Sequence, residues 1–265
     1  MLMLKYFFIF LLGLCIGSFL NVLIDRLPKG ESILGRSYCP YCKRTLKWYE
    51  LIPVLSFVFL RGRCRGCKKR ISLQYPLVEL TTGVLFTATV YYLNITDKGL
   101  VFDISHLISL ICLLFIISCL IVIFMTDLKY MIVPDEIIYP AIVSGVVYQV
   151  INWRMAKLEN WYYPLLAGVI PFLFFLFLVL VTRGKGMGFG DVKISLFMGI
   201  FLSWPNILVA LSLAFFSGAI IGLILVALKK KGLKSEIPFA CFLVPATLVT
   251  LFWGEQIVEW YLGII

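Results

Sequence analysis

The sequence predicts an all-α integral membrane protein with about eight transmembrane helices. Three observations carry that prediction. The 265-residue chain is 62% hydrophobic and only 14% charged, and its mean hydropathy is +1.00, a balance foreign to soluble domains. Its apolar residues gather in runs near the ~20 residues that a bilayer crossing needs. No period-two alternation marks a strand.

The runs lie at 4–24, 76–94, 105–126, 137–152, 162–182, 192–204, 206–228 and 237–254. The fourth and sixth are short for a crossing, so shielding by neighbours or a locally thinner bilayer must accommodate them. Trp204-Pro205 reads as a hairpin turn, because proline disfavours helix in the residue before it. Pro76 and Pro238 stand near helix starts, where a missing N–H costs little. The first run follows a single Lys5, outlasts a signal-peptide core and meets no small-residue cleavage site, so it reads as a retained helix.

Charge placement orients the spans. Of the twenty-four Lys and Arg, twelve lie in 25–75. Eight spans put loops 127–136, 183–193 and 229–236 on that same side, and these hold eight more. Only Lys5, Lys98, Arg154 and Lys157 fall opposite. By the positive-inside rule the basic loops are cytoplasmic and both termini lie outside. The net charge of +10 is thus a topology signal and an attraction to anionic lipid of the bilayer; it predicts no nucleic-acid partner. The expected division is a first transmembrane helix at 1–24, a cytoplasmic four-cysteine loop at 25–75 and a polytopic membrane domain at 76–265.

Eight cysteines form two groups. Cys15, Cys112, Cys119 and Cys241 lie within apolar runs and read as small buried hydrophobes. Cys39-Pro40-Tyr41-Cys42 and Cys64-Arg65-Gly66-Cys67 are C-x2-C knuckles, the pattern of a tetrahedral four-cysteine zinc site. A pair of disulfides is the competing reading, which a reducing cytoplasm disfavours. Lys43, Arg44, Arg63, Arg65, Lys68 and Lys69 flank the knuckles and offset the charge of four thiolates. A loop of this size has little core of its own, so zinc would fold it, with ~10 kcal/mol or more available in small fingers.

Asp127 and Asp191 each sit where an apolar run meets a cytoplasmic loop. A carboxylate at a helix centre costs roughly 2.5–3.5 kcal/mol on insertion scales, so such residues are candidates for function. Asp191 closes Gly188-Phe189-Gly190-Asp191, whose glycines are expected to permit unusual dihedrals and close approach by an extended peptide. Two carboxylates within reach share a proton: one acts as general base on water, the other as acid toward a scissile amide. The bland alternative for Asp127 is a salt bridge with Lys129 or Lys193. Asp135 and Glu136 read as a cap of the fourth helix. Asn21, Asp25 and the weaker candidate Glu79 read as an interhelix polar contact, with a substrate contact as the alternative. Asp97, Asp103, Glu159, Glu255 and Glu259 fall on the outer side, and Glu31, Glu50 and Glu236 read as ordinary charge partners. The only histidine, His106, leaves no Ser/His/Asp arrangement.

These motifs together resemble the bacterial type IV prepilin leader peptidases, membrane aspartic proteases of the GxGD kind. Gly17-Ser18-Phe19-Leu20-Asn21-Val22 resembles their first helix. Tyr38 to Cys42, Leu51 to Ser56 and Arg61 to Cys67 resemble their cysteine loop, which Ile71 to Glu79 continues. Asp127-Leu128-Lys129 with Pro134-Asp135, and Gly188 to Lys193, resemble the two catalytic segments. The resemblance implies cleavage of the basic leader of prepilins and pseudopilins at the cytoplasmic membrane face, usually after a glycine. It also implies N-methylation of the new N-terminal residue with S-adenosylmethionine as donor. Two other readings of the carboxylates stay open at this stage: a presenilin-like protease cutting deeper within substrate helices, and a proton-coupled transporter. A third possibility is a membrane scaffold that binds partners through its zinc loop.

Overall fold

The computed structural model describes residues 2–96, 104–156, 162–184, 187–228 and 238–263. Among them are nine α-helices: α1 (Leu2–Arg26), α2 (Leu55–Phe59), α3 (Gln74–Thr96), α4 (Ile104–Tyr130), α5 (Asp135–Ala156), α6 (Tyr163–Thr182), α7 (Phe189–Leu202), α8 (Asn206–Ala227) and α9 (Ala240–Leu262). No strand occurs among the described residues; two isolated bridges, Tyr38 with Thr45 and Arg63 with Arg70, lie in the cysteine loop. The all-α membrane class therefore holds. The basic residues Lys98, Lys157, Lys185, Lys229, Lys230, Lys231 and Lys234 and the acidic Asp97, Asp103, Glu159 and Glu236 lie outside the described residues.

The count of eight crossings is not confirmed. Eight of the helices match the eight apolar runs, but length and composition qualify five: α1, α4, α6, α8 and α9. α3 and α5 have the length, but threonines and tyrosines in the first and Asp135, Glu136, Ser144 and Gln149 in the second lower their apolarity. α7 has 14 residues, ~21 Å at 1.5 Å per residue, against a hydrocarbon core of ~30 Å. It is clothed by protein instead: Val192, Ile194, Phe197 and Met198 are at most 2% exposed.

The chain forms two compact units, Met1–Asp103 and Ile104–Ile265. In the first, α1 and α3 lie against each other. Glycines make this possible: a Cβ on Gly13 would stand 2.6 Å from Gly83 Cα, and one on Gly17 2.7 Å from Glu79 Cα. Small residues at a membrane interface let backbones approach and gain dispersion contact. Towards the loop the seam turns polar. Asn21 Nδ2 donates to the Tyr75 carbonyl at 3.2 Å, Gln74 Nε2 donates to Asn21 Oδ1 at 3.3 Å, and Tyr75 Oη donates to Asp25 Oδ2 at 2.7 Å. The interhelix polar contact expected of Asn21 and Asp25 is therefore present. Arg26 is buried and donates to the carbonyls of Ser32, Ile33, Leu34 and Arg36, which shapes the start of the loop.

In the second unit α4 forms the buried centre, with Leu113, Ile116, Ile117, Leu120, Val122 and Ile123 at most 2% exposed. α6 packs on α7 and α8 on α9, while α5 and α9 each pack against both α4 and α7. The α6–α7 contact depends on Gly199, where a Cβ would sit 2.0 Å from the Ala167 carbonyl oxygen. Because α5 and α9 touch both helices, the end of α4 and the start of α7 are drawn together.

Candidate active site and metal centre

Asp127 lies in the last turn of α4 and Asp191 in the first turn of α7. They are 6% and 8% exposed. The charge of Asp127 acts on Asp191, and the charges of both reach the thiol of Cys241 in the first turn of α9. The Cys241 backbone N–H donates to Asp127 Oδ2 at 3.2 Å, and its Sγ faces the Phe124 carbonyl oxygen at 3.8 Å. When the charge of one buried carboxylate acts on another, ionising both costs more than ionising one. The arrangement can therefore supply an acid and a base at one place.

Lys193, a candidate partner for Asp127, is engaged elsewhere: its Nζ pairs with Asp135. Asp135 is the first residue of α5, and through Lys193 it ties that helix to α7.

The two glycines before Asp191 differ. Gly188 has φ −81° and ψ 155°, ordinary extended backbone, and Gly190 is not among the positive-φ residues. The expectation of unusual dihedrals is thus not met, because the segment enters α7 through an extended residue. The contact at Gly190 is with the chain itself, not with an extended peptide: a Cβ there would meet Val133 Cγ2 at 2.6 Å, while at Gly188 nothing lies nearer than the Gly190 nitrogen at 3.9 Å. Val133, in the turn between α4 and α5, was not singled out by its sequence, since nothing local marks which side chain a distant glycine must accommodate.

In the first unit the Sγ atoms of Cys39, Cys42, Cys64 and Cys67 all lie within 4.8 Å of one another. Cys39 and Cys67 are 3.9 Å apart at sulfur, and Cys42 and Cys64 4.0 Å. A disulfide needs ~2.05 Å, whereas a tetrahedron with metal–sulfur bonds of ~2.3 Å places its sulfurs ~3.8 Å apart. All four are free thiols, so the geometry is that of a metal centre, not of two disulfides. The backbone N–H groups of Cys67 and Gly66 bring the Cys64 thiol down to about 6. The Lys69 N–H lowers Cys67, but burial and the neighbouring sulfurs outweigh it and raise that thiol to about 11. Four thiolates this close repel one another, and a cation among them offsets that charge.

Arg44 completes the surroundings. Its Nη2 pairs with the buried Glu50, whose carboxylate also accepts the Lys47 N–H at 2.9 Å. Its Nε is buried without a hydrogen-bond partner, and the sulfurs of Cys42 and Cys64 act on the guanidinium. The donor set and this cation fit a four-coordinate soft metal.

The remaining cysteines divide. Cys112 and Cys119 are buried as expected, Cys15 is exposed on α1, and Cys241 is half-buried beside Asp127. Sequence reasoning missed Cys241: it occurs in an apolar run like the others, and only the packing of α9 on α4 reveals its neighbour.

Residues 11–93 match the family model described as the bacterial peptidase A24 N-terminal domain, and residues 114–223 match the type IV leader peptidase family. A "Prepilin leader peptidase/N-methyltransferase" of Bacillus subtilis is 33% identical over 255 residues, covering 96% of this chain and 96% of that protein. Proteins of the same name from Legionella pneumophila and Pseudomonas aeruginosa are each 30% identical; the alignments cover 97% and 95% of this chain, and 94% and 91% of the relatives. No solved structure shows a significant match.

Proposed function

The chain belongs to the prepilin leader peptidase/N-methyltransferase family, and from that premise we propose that Asp127 and Asp191 are its catalytic carboxylates. It is a membrane protease with N-methyltransferase activity. The observation that carries the assignment is the burial of both carboxylates where α4, α7 and α9 meet, with the charge of Asp127 acting on Asp191. One carboxylate removes a proton from water as it attacks the scissile carbonyl; the other, protonated, donates to the departing amide nitrogen. Placement at a helix end within a membrane protein limits bulk water and strengthens these interactions. The Cys241 N–H holds Asp127 in place. Gly190 lets the turn before Asp191 lie against Val133.

The substrate is a type IV prepilin or pseudopilin, whose apolar segment lies in the bilayer and whose leader is cut on the cytoplasmic side. The basic loops, holding twenty of the twenty-four Lys and Arg, face the cytoplasm by the positive-inside rule, with the aspartates and the cysteine loop on that side and both termini outside. A basic surface does not attract a basic leader, so recognition rests on local carboxylates and on the apolar helix. The enzyme resides in the cytoplasmic membrane as a multi-pass protein, with the first helix, the cysteine loop at 25–75 and the later helices as its functional parts.

Cys39, Cys42, Cys64 and Cys67 hold one structural Zn²⁺, which supplies folding energy to the loop and no reaction step. S-adenosylmethionine supplies the methyl group for the new N-terminal amine when bound.

The test is leader cleavage by the protein reconstituted with a prepilin. Asp127→Asn and Asp191→Asn are each expected to lower cleavage by a factor of about 10³ or more, since acid–base groups contribute typically 10²–10⁴ each, while the protein stays inserted and binds zinc. Cleavage at the normal rate by either variant would sink the assignment.

A further inference from the structure

The cysteine loop carries an apolar face that turns away from the protein. α2 reads Leu55-Ser56-Phe57-Val58-Phe59, with Ser56 its only polar residue. Phe57 turns inward, where a Cβ on Gly62 would meet its ring at 3.0 Å. Leu55, Val58 and Phe59 are exposed, Phe59 to 82%. They recur at i, i+3 and i+4, so they share one side of the helix. The turn Trp48–Leu51 packs against α2 and brings Trp48, 78% exposed, into its neighbourhood. A helix that is apolar all round needs cover on both sides, and an exposed apolar patch marks a surface that something else covers. Neither the carboxylate pair nor the metal centre uses this face.

What covers it follows from where the protein holds α2. The Val54 N–H, at the start of α2, donates to Glu79 Oε2 at 2.8 Å. Glu79 is level with Gly17 of α1, since a Cβ on Gly17 would stand 2.7 Å from Glu79 Cα. Gly17 in turn precedes the end of α1 at Arg26 by more than two turns. The start of α2 is therefore folded back beside the membrane helices, and α2 is only ~8 Å long at 1.5 Å per residue. On α3, Leu77, Leu80 and Val84 form an exposed apolar stripe, the side that a membrane helix shows to lipid. An apolar face held at this level meets the boundary of acyl chains and headgroups. Arg61 and Arg63 follow α2 directly and are exposed. The segment 25–75 holds twelve Lys and Arg against Asp25, Glu31 and Glu50. Apolar side chains rimmed by arginine, with tryptophan nearby, are the composition of a segment that lies in an anionic membrane surface.

We propose that the outward face of α2 is an interfacial anchor, which seats Leu55, Val58 and Phe59 in the bilayer leaflet on the loop's side and sets Arg61 and Arg63 on anionic phospholipid headgroups. The inference rests on α1 and α3 as membrane helices and not on the peptidase reading. It assigns Glu79 a purpose beyond the polar seam between α1 and α3: its carboxylate fixes the level of the anchor. The loop is then held from two sides, by the metal at its knuckles and by the lipid under α2.

The experiment uses the full-length, zinc-loaded protein in nanodiscs of equal parts phosphatidylglycerol and phosphatidylcholine. A photoreactive benzoylphenylalanine replaces Phe59, and its adducts are identified by mass spectrometry after illumination. Phospholipid adducts are expected to dominate. Phosphatidylglycerol should outnumber phosphatidylcholine among them about fivefold, the effect of a basic residue at an anionic surface. Arg61→Gln with Arg63→Gln should bring the two lipids close to parity while lipid adducts persist. Leu55→Asp with Val58→Asp should cut the total lipid adducts at position 59 about fivefold or more at normal zinc content. No lipid adduct, or adducts only with peptide of a second copy or of an added prepilin, would overturn the anchor, the latter making the face a protein-docking surface instead. Equal adducts of the two lipids in the otherwise unsubstituted protein would overturn the role of the arginines. If the doubly acidic variant loses its zinc and fails to fold, the adducts of the protein without it decide.

Discussion

The backbone N–H of Cys241 donates to Asp127 Oδ2 at 3.2 Å, across 114 positions of sequence. This bond ties the last turn of α4 to the first turn of α9. It also sets a thiol where the charges of both Asp127 and Asp191 are felt.

A group added to that thiol would therefore intrude on the carboxylates. Treatment with a small methanethiosulfonate is expected to reduce leader cleavage by the zinc-loaded wild type to about a tenth or less, since misplacement by ~1 Å already costs ~10² in rate. Cys241→Ala keeps the N–H and removes the sulfur, so it should stay active and resist the reagent. Equal inactivation of both proteins in a cleavage time course would show that the thiol is not at the site.

Gly190 and Val133 form a second testable pair. A Cβ at position 190 would stand 2.6 Å from Val133 Cγ2. Gly190→Ala should destabilise the protein by ~1–3 kcal/mol, the usual cost of overpacking, and displace Asp191 one residue on. Adding Val133→Ala removes the Cγ2 contact at 2.6 Å but leaves the Val133 Cβ 2.9 Å away, so it should restore part of the thermal stability and cleavage. Gly188→Ala meets open space in this structure and should fold normally. Failure of Val133→Ala to rescue would place the cause elsewhere than this contact.

The sulfur geometry predicts one metal ion per chain. Elemental analysis should find zinc at a ratio of about one, lost on Cys39→Ser or Cys64→Ser. Chelation should open residues 38–70 to proteolysis, because zinc provides ~10 kcal/mol or more to small folds of this kind. The helical circular dichroism of the membrane segments should persist. Zinc retained after substitution of two ligand cysteines would reject the centre.

Glu50 adds a pH signature to the same loop. Burial alone would raise its carboxyl, but the Lys47 N–H and the Arg44 guanidinium outweigh burial and hold it below its ordinary value of 4.5. A carboxyl depressed on folding stabilises the folded form above its unfolded value, and that contribution is lost as pH falls through the folded value. Glu50→Gln should therefore speed amide exchange across residues 38–70 about tenfold at pH 7, the effect of losing a buried charged contact. The gap from wild type should close as pH falls below the ordinary value of 4.5 and through the lower folded one. A gap that widens in acid would contradict the assigned sign.

Much of the fold was legible in the chain, and for local reasons. Apolar runs and prolines mark the long helices, and α6 and α8 begin and end within a residue or so of their expected bounds. The two C-x2-C knuckles announce their own convergence, because each pair of ligands lies within one tight turn. What length alone could not reveal is how many of the eight helices cross the membrane. α7 is apolar like a span, yet its 14 residues are covered by protein. Covering by neighbours is a property of packing, not of the run itself.

The carboxylates show the same boundary. Sequence by itself determined that Asp127 and Asp191 stand at the ends of apolar segments, that four cysteines occur as two knuckles, and that basic residues concentrate in a few loops. These are properties of neighbouring residues, and burial cost and charge make them readable. Only the tertiary structure decided that Lys193 serves Asp135, that Cys241 serves Asp127, and that Gly190 rather than Gly188 must lack a side chain. Each of those depends on which surfaces α5 and α9 present to α4 and α7. Contacts among residues scores of positions apart are settled by close packing of whole helices, which no single segment encodes.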